Sequence, residues 1–388
     1  MDNHRLFYIL LGTLTLCLTA SPVRGQSNGA SGASEEVSSA EEVSPAARAV
    51  NFSGDFRLRY ENTANVEPGT PLFEARHREV VRFRAGATIQ INDLIQFGGR
   101  MATGSQDDPN TADVTLGNFV DDLDVSLDRL YIALKHQDLS ISGGKFANPF
   151  RRTALVWDGD VNPQGVAGSY TFAGSGPISA KFIGMYAIID EHSGSATPDS
   201  DMGGAQVELS MQSASDWSLT LAGGYFNYRI SSLSNADAGD TRSNNINSDG
   251  TAYISDFNLL DVIAVVDYGG LAYPIRFVGD YVKNLGAEVD EDQGFMLDLF
   301  VGRASQTKDV RFRYGYAELE TDGVLAAFSN DNTTLATNYV QHTLTLDYVV
   351  LDHTTLNVTW YYYRRKDVPA GVDNEYISRL RLNAVVTF

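Results

Sequence analysis

Four Arg-x-Arg pairs carry the most concentrated chemistry in this 388-residue chain: Arg57 and Arg59, Arg82 and Arg84, Arg311 and Arg313, Arg379 and Arg381. A spacing of two puts both members of a pair on the same face of a β-strand. Their neighbours of opposite phase are apolar: Phe56, Leu58 and Tyr60, then Val81, Phe83 and Ala85, then Leu380 and Leu382. A guanidinium keeps its charge, and its stem can lie along a wall while the head stays wet. If the strands holding the first, second and last pairs are neighbours, six arginines share one inner wall, with Arg311 and Arg313 adding a further inward pair. Such a wall can orient or select permeating solutes. The plainer role is electrostatic balance against acids of matching phase, namely Asp55, Glu61, Asp298 and Asp347.

A second constellation runs from Asn148 to Gln164 and contains Arg151, Arg152, Leu155, Val156, Trp157, Asp158 and Asp160. A solvated loop has no need of Leu-Val-Trp, so the run predicts a loop anchored on an inner wall and folded into a lumen as a constriction. Asp158 and Asp160 would then face the arginines, and opposed charges across a narrow point favour polar solutes able to reorient. The alternative is an external cap over the mouth. Asp158, Asp160 and Asn162 also match the start of a calcium loop, but Pro163 stands where that loop needs Gly and Ser169 where it needs Glu. No metal and no cofactor are therefore expected. His77, His136, His192, His342 and His353 are scattered, and no nucleophile elbow or phosphate-cradling glycine loop follows a strand. Catalytic residues are not expected.

The elements that must position these residues are strands. Ala205, Val207, Leu209 and Met211 alternate with Gln206, Glu208, Ser210 and Gln212, one apolar wall against one polar wall. The closing stretch from Glu375 repeats the pattern and ends on the aromatic Phe388. About sixteen such runs of ten to fourteen residues follow one another from Asn51 onward, long enough to cross a bilayer at a barrel's tilt. Short turns, as at Gln137-Asp138 and Gly269-Gly270, alternate with long polar loops at 62–78, 105–124, 147–164, 190–200, 229–256, 284–292, 321–338 and 366–374. This arrangement predicts a single all-β domain over 51–388, a transmembrane antiparallel β-barrel with short periplasmic turns and long extracellular loops. No repeat of forty-odd residues supports a propeller.

Residues 1–25 read as a secretory signal: His4 and Arg5, an apolar core from Leu6 to Thr19, then small residues before Gln26. Residues 26–50 are Ser, Ala, Gly and Glu without apolar period, a disordered lead-in. Cys17 is the only cysteine and falls in the signal, which excludes a disulfide framework. A net charge of -20 excludes a nucleic-acid partner, because phosphate binding needs a basic surface. Export and barrel together place the chain in the bacterial outer membrane, with its lipid as the partner of the apolar faces.

The run Phe52-Ser53-Gly54-Asp55-Phe56-Arg57-Leu58-Arg59-Tyr60-Glu61 resembles the opening strand of the bacterial group called putative porins. Gly144-Lys145-Phe146, Asn148-Pro149-Phe150, Leu155 to Asp160 and Asn162 to Val166 are similar to that group's central loop. Carbohydrate- and alginate-export barrels share a similar opening strand. The resemblance implies a sixteen-stranded pore for small hydrophilic solutes without known catalytic residues, and a homotrimer by analogy with many sixteen-stranded porins. The inward arginines also fit a channel selective for an acidic sugar. A plugged structural or adhesive barrel, binding partners through its outer loops, is the rival from another class.

Overall fold

Period-two alternation governs almost the entire chain. The computed structural model describes residues 50–388 apart from 65–75, 106–109, 121, 174–175, 194–196, 214, 234–242 and 373. The expected signal, and the lead-in up to its last residue, lie outside the described residues. The first strands are β1 (Val50–Ala64), β2 (Arg76–Gln90), β3 (Ile95–Thr103), the two-residue β4 (Val114–Thr115), β5 (Val125–His136) and β6 (Leu139–Lys145). Then follow β7 (Gln164–Ala173), β8 (Ile178–Asp190), β9 (Ser200–Gln212), β10 (Trp217–Arg229), β11 (Phe257–Tyr268) and β12 (Ile275–Asn284). The last are β13 (Gln293–Gly302), β14 (Val310–Leu319), β15 (Tyr339–Leu351), β16 (Thr354–Arg365) and β17 (Ile377–Thr387).

β1 pairs antiparallel with both β2 and β17, so the sheet closes on itself. Sixteen strands make the wall, and β4 only takes over from β3 alongside β2, through Val80–Thr115 and Val81–Val114, where β3 has ended. Closure follows from the medium. A lipid-facing strand cannot leave an edge of unpaired N–H and C=O groups.

The two faces of each strand meet different solvents. Val207, Leu209 and Met211 are exposed on the outside, while Gln206, of the opposite phase, is 2% exposed. Aromatic pairs mark both rims: Trp217 stacks on Tyr268 at 4.4 Å beside the short turns, and Tyr362 on Tyr376 at 4.2 Å beside the long loops. On β16, Tyr362 lies eight residues above Thr354. At ~3.3 Å per residue and a tilt of ~40°, that is a band of about 20 Å, close to the apolar belt of an outer-membrane barrel.

Inside, the wall is asymmetric. β8 to β12 present apolar side chains inward, among them Ile183, Met185, Met202, Phe226, Tyr228, Phe257, Leu259 and Val282, all buried. β17, β1 and β2 present the arginines. One half of the lumen can therefore hold apolar loop residues, and the other must hold charge.

Candidate functional site

β6 has only seven residues and leaves the wall at Lys145, which stands opposite Leu130 midway along β5. The third loop, 146–163, thus departs at mid-height and enters the lumen. Its Phe146, Phe150, Leu155, Val156, Trp157 and Val161 pack in one buried cluster with the apolar half of the wall. Burying them removes apolar surface from water, roughly 25 cal/mol per Å². Trp157 meets Phe226 edge-on at 5.8 Å and tilts against Tyr228 at 5.9 Å. Polar anchors complete the seat. Gln206 accepts from the Arg151 N–H and donates to its carbonyl, both at 2.8 Å, Arg151 Nε bonds Glu208 at 2.6 Å, and the Thr153 hydroxyl donates to Asp280. Arg152 turns back on its own loop, to the carbonyls of Asn148 and Gly159.

The seventh loop, 321–338, departs from the sequence expectation of a polar outer loop. Residues 322–330 are all buried, and Val324, Leu325, Ala327, Phe328 and Leu335 join the same apolar cluster as the third loop. Phe328 stacks on Trp157 at 6.3 Å and its carbonyl accepts from the Asp158 N–H at 2.9 Å. Asn244 and Ser255 hold the loop's base, through the Val324 carbonyl at 2.9 Å and Asp322 at 2.7 Å. The signal was present in the sequence as Val324-Leu325-Ala326-Ala327-Phe328, an apolar run of the same kind as Leu155-Val156-Trp157.

The arginine wall faces these loops. Register places Arg57 opposite Arg82 and Arg59 opposite Asn383, with Glu61 opposite Arg381 and Thr63 opposite Arg379, so six arginines lie on adjacent strands. None of the six stands bare. Asp55 takes Arg82 at 2.8 Å and Arg84 at 2.7 Å. Glu61 takes Arg381 at 2.6 Å and Arg78 at 2.7 Å, with Arg379 at 3.8 Å. Asp113, from the loop ahead of β4, bonds Arg57 and also Arg59, the latter at 2.6 Å. Asp160 of the third loop bonds Arg84 at 2.6 Å. Arg379 and Arg381 also donate to Asn332 of the seventh loop, at 2.9 and 2.8 Å. Arg311 and Arg313 are not part of this group. They lie on β14, separated from β17 by β15 and β16, and bind Asp347 and Asp298 at 2.8 Å each.

A cavity of 320 Å³ remains between wall and loops. It is lined by Arg57, Arg59, Arg82 and Arg84 on one side and by Asp113, Asp158, Asp160, Asp331 and Asn332 on the other. A second cavity of 590 Å³, reaching Lys181 and Glu208 near the short-turn end, shares Asp158, Gly159 and Asn332 with it. Those three residues border both spaces, and we call them the neck. Burial pushes the Asp158 carboxyl well above the usual carboxylate range, and the negative charges of Asp331 and Asp160 push it further. Burial also opposes the charge on Asp113, but Arg57 and Arg59 outweigh it and hold that carboxyl below its ordinary value. The loop acids Asp113 and Asp160 are the residues that sequence reading left out of the arginine account or could not pair, because their partners come from distant strands.

A family profile described as "Putative porin" matches residues 23–252. No curated protein sequence gives a match. Among solved structures, the barrel is similar to Pseudomonas putida OprB, with a TM-score of 0.56 at 13% identity over 87% of this chain and 94% of that one. An anion-selective porin from Comamonas acidovorans gives 0.51 at 11% identity over 88% and 100%. The trimer form of the Vibrio cholerae outer-membrane protein OmpT gives 0.50 at 11% over 88% and 99%. At these identities the likeness is one of fold.

Proposed function

This chain belongs to the putative-porin family, and we propose that it is a passive diffusion channel of the bacterial outer membrane for small hydrophilic solutes. The carrying observation is the pair of cavities that meet at Asp158, Gly159 and Asn332, with charged and amide groups around the neck. Solutes cross between the arginine wall and the carboxyls of the third and seventh loops, in a transverse field that favours molecules with a dipole. Neither a cofactor nor an energy source enters this reading. The family and the fold point to a channel rather than an enzyme. A trimer, the form named for Vibrio cholerae OmpT, is the assembly we infer.

Selectivity follows from the pairing. A bare arginine wall would favour anions, including an acidic sugar. Here each arginine of the 320 Å³ cavity has a carboxylate within hydrogen-bonding distance, so the field is strong across the lumen and weak along it. The plugged-barrel reading draws on a different observation, the inward seventh loop, which narrows the same space.

Single-channel conductance of the refolded chain in a planar bilayer separates these readings. Steady steps with weak ion preference are expected. The double substitution D113N/D160N removes the carboxylate that masks Arg57 and Arg59 and one of the two on Arg84, and should move the reversal potential under a salt gradient toward anions. A folded, heat-modifiable barrel that passes no current would favour the plugged reading.

A further inference from the structure

Against the root of the third loop, towards the short turns, lies a smaller cavity of 190 Å³. Phe146, Ala147 and Pro149 of the loop cover it, and β3, β5, β6 and β7 make its wall. Its polar lining is Gln96, Tyr131, Lys135, Ser140, Ser142 and Ser169. Register gathers these residues on the lumen face. Lys135 stands opposite Ser140 across the Gln137-Asp138 turn, and Ser140 stands opposite Ser169. In the next inward row Ser142 faces Ala133, which in turn faces Gln96. Directly opposed side chains start ~5 Å apart, so the ammonium and the three hydroxyls border one small space.

Two features decide what fits. The donors are unspent: among the described residues, no hydrogen bond or ion pair engages these six side chains, and none of their polar atoms is sealed from solvent. The arginines around the 320 Å³ cavity are the opposite case, each already bound to a carboxylate. The charge is also one-sided. Lys135 is the only charged residue in the lining, and Asp138 of the adjoining turn is not part of it. A cation would meet a like charge there, and a neutral solute would leave the ammonium without a counter-charge. An anion with several oxygens can take the ammonium and the hydroxyls together, in hydrogen bonds about twice as strong as neutral ones. The volume lies below the range of about 300–1,000 Å³ typical of organic ligands, which suits an ion of a few heavy atoms.

We propose that this cavity is a binding site for a small oxyanion, held by the Lys135 ammonium and the hydroxyls of Ser140, Ser142 and Ser169. The site rests on the channel reading only for the route by which the ion arrives. It stands apart from the charge-balanced neck and concentrates such ions on the short-turn side of the third loop.

Calorimetric titration of the refolded chain in detergent with inorganic phosphate should give a saturable heat. K135Q should bind phosphate about tenfold more weakly, as expected for loss of one charge-assisted hydrogen bond. S140A/S169A keeps every charge and should weaken binding about threefold through the lost hydroxyls. K308Q removes the same charge from the turn between β13 and β14, outside the cavity, and should bind like the parent chain. Heat-modifiable migration on gels shows that each variant has folded. No saturable heat, equal weakening in K135Q and K308Q, or parental affinity in S140A/S169A would each overturn the proposal. Because binding is read in detergent, conductance without binding removes this site and leaves the channel, and binding without conductance does the reverse.

Discussion

Glu61 gathers the charge of β17, β1 and β2 at one point. It is 1% exposed and takes Arg381, Arg78 and the more distant Arg379. Removing one partner of a buried ion pair leaves the others uncompensated, at a cost of about 3–5 kcal/mol. E61Q keeps the shape and removes the charge, so its barrel should unfold at lower denaturant in micelles, with a loss of that order. An unchanged midpoint would mean that water reaches these arginines. The same logic rules out reversing Arg379 or Arg381 as a selectivity test, because a new acid beside Glu61 would break the wall before it changed the current. Asp158 gives the opposite case. Its carboxyl is raised by burial and by Asp331, so between the ordinary and the raised value the folded chain holds a proton that the unfolded chain has released. Stability should therefore fall as pH rises through that window. Ionisation there adds a negative charge at the neck and should move the reversal potential toward cations. D158N should flatten both responses.

At the scale of elements, the two inward loops act as one. Phe328 stacks on Trp157 and Tyr228 and is 7% exposed. Cutting it to alanine should cost about 3–5 kcal/mol and loosen the seventh loop where it borders the neck. The expected readout is a larger and noisier unitary conductance. Unaltered steps would show that the seventh loop lies off the ion path. The strands were legible because each has lipid on one face and water or a loop on the other, which writes a period of two into the sequence. In the third loop, Leu155, Val156 and Trp157 are apolar residues with no place in water, and they are buried in the cluster shared with the wall. The seventh loop carried the equivalent Val324 to Phe328 but was read by its polar flanks, Thr321-Asp322 and Ser329 to Asn332. β11 gave a further hint. Phe257, Leu259 and Ile263 point inward, with Asp261 the one charged residue among them, while Leu260 and Val262 point outward, so both faces are largely apolar, as a filled lumen accommodates. The pairing of Asp113 with Arg57 was not legible, and Asp160, expected to face the arginines, could not be given Arg84 as its partner, since loops of this length leave the meeting point open until the register is known.

At the scale of the whole molecule, the lumen is divided between an apolar half that seats the loops and a charged half that borders the solute, and both depend on closure between β1 and β17. That seam places Arg379 and Arg381 beside Glu61 and Thr63. Its short-turn end is fastened at Gly54, whose N–H and carbonyl bond the Phe388 carbonyl and N–H at 2.8 and 3.1 Å. Phe388 also stacks on Phe83 of β2 at 6.4 Å. There is no room at Gly54 for a side chain: a Cβ would lie 2.3 Å from the Arg84 carbonyl and 2.4 Å from the Phe388 ring. The ring could swing aside, but the carbonyl belongs to the paired backbone of β2 and cannot. G54V should therefore fail at closure rather than at strand formation. The expected outcome is β-rich circular dichroism with a sharply reduced heat-modifiable fraction and more aggregate, because β1 and β17 then expose unpaired edges. G143A is the matched control, since a Cβ at Gly143 meets nothing within 4 Å, and it should refold like the parent chain. If G54V also closes normally, the last strand is held by its arginines and Glu61 rather than by the aromatic clasp at its end.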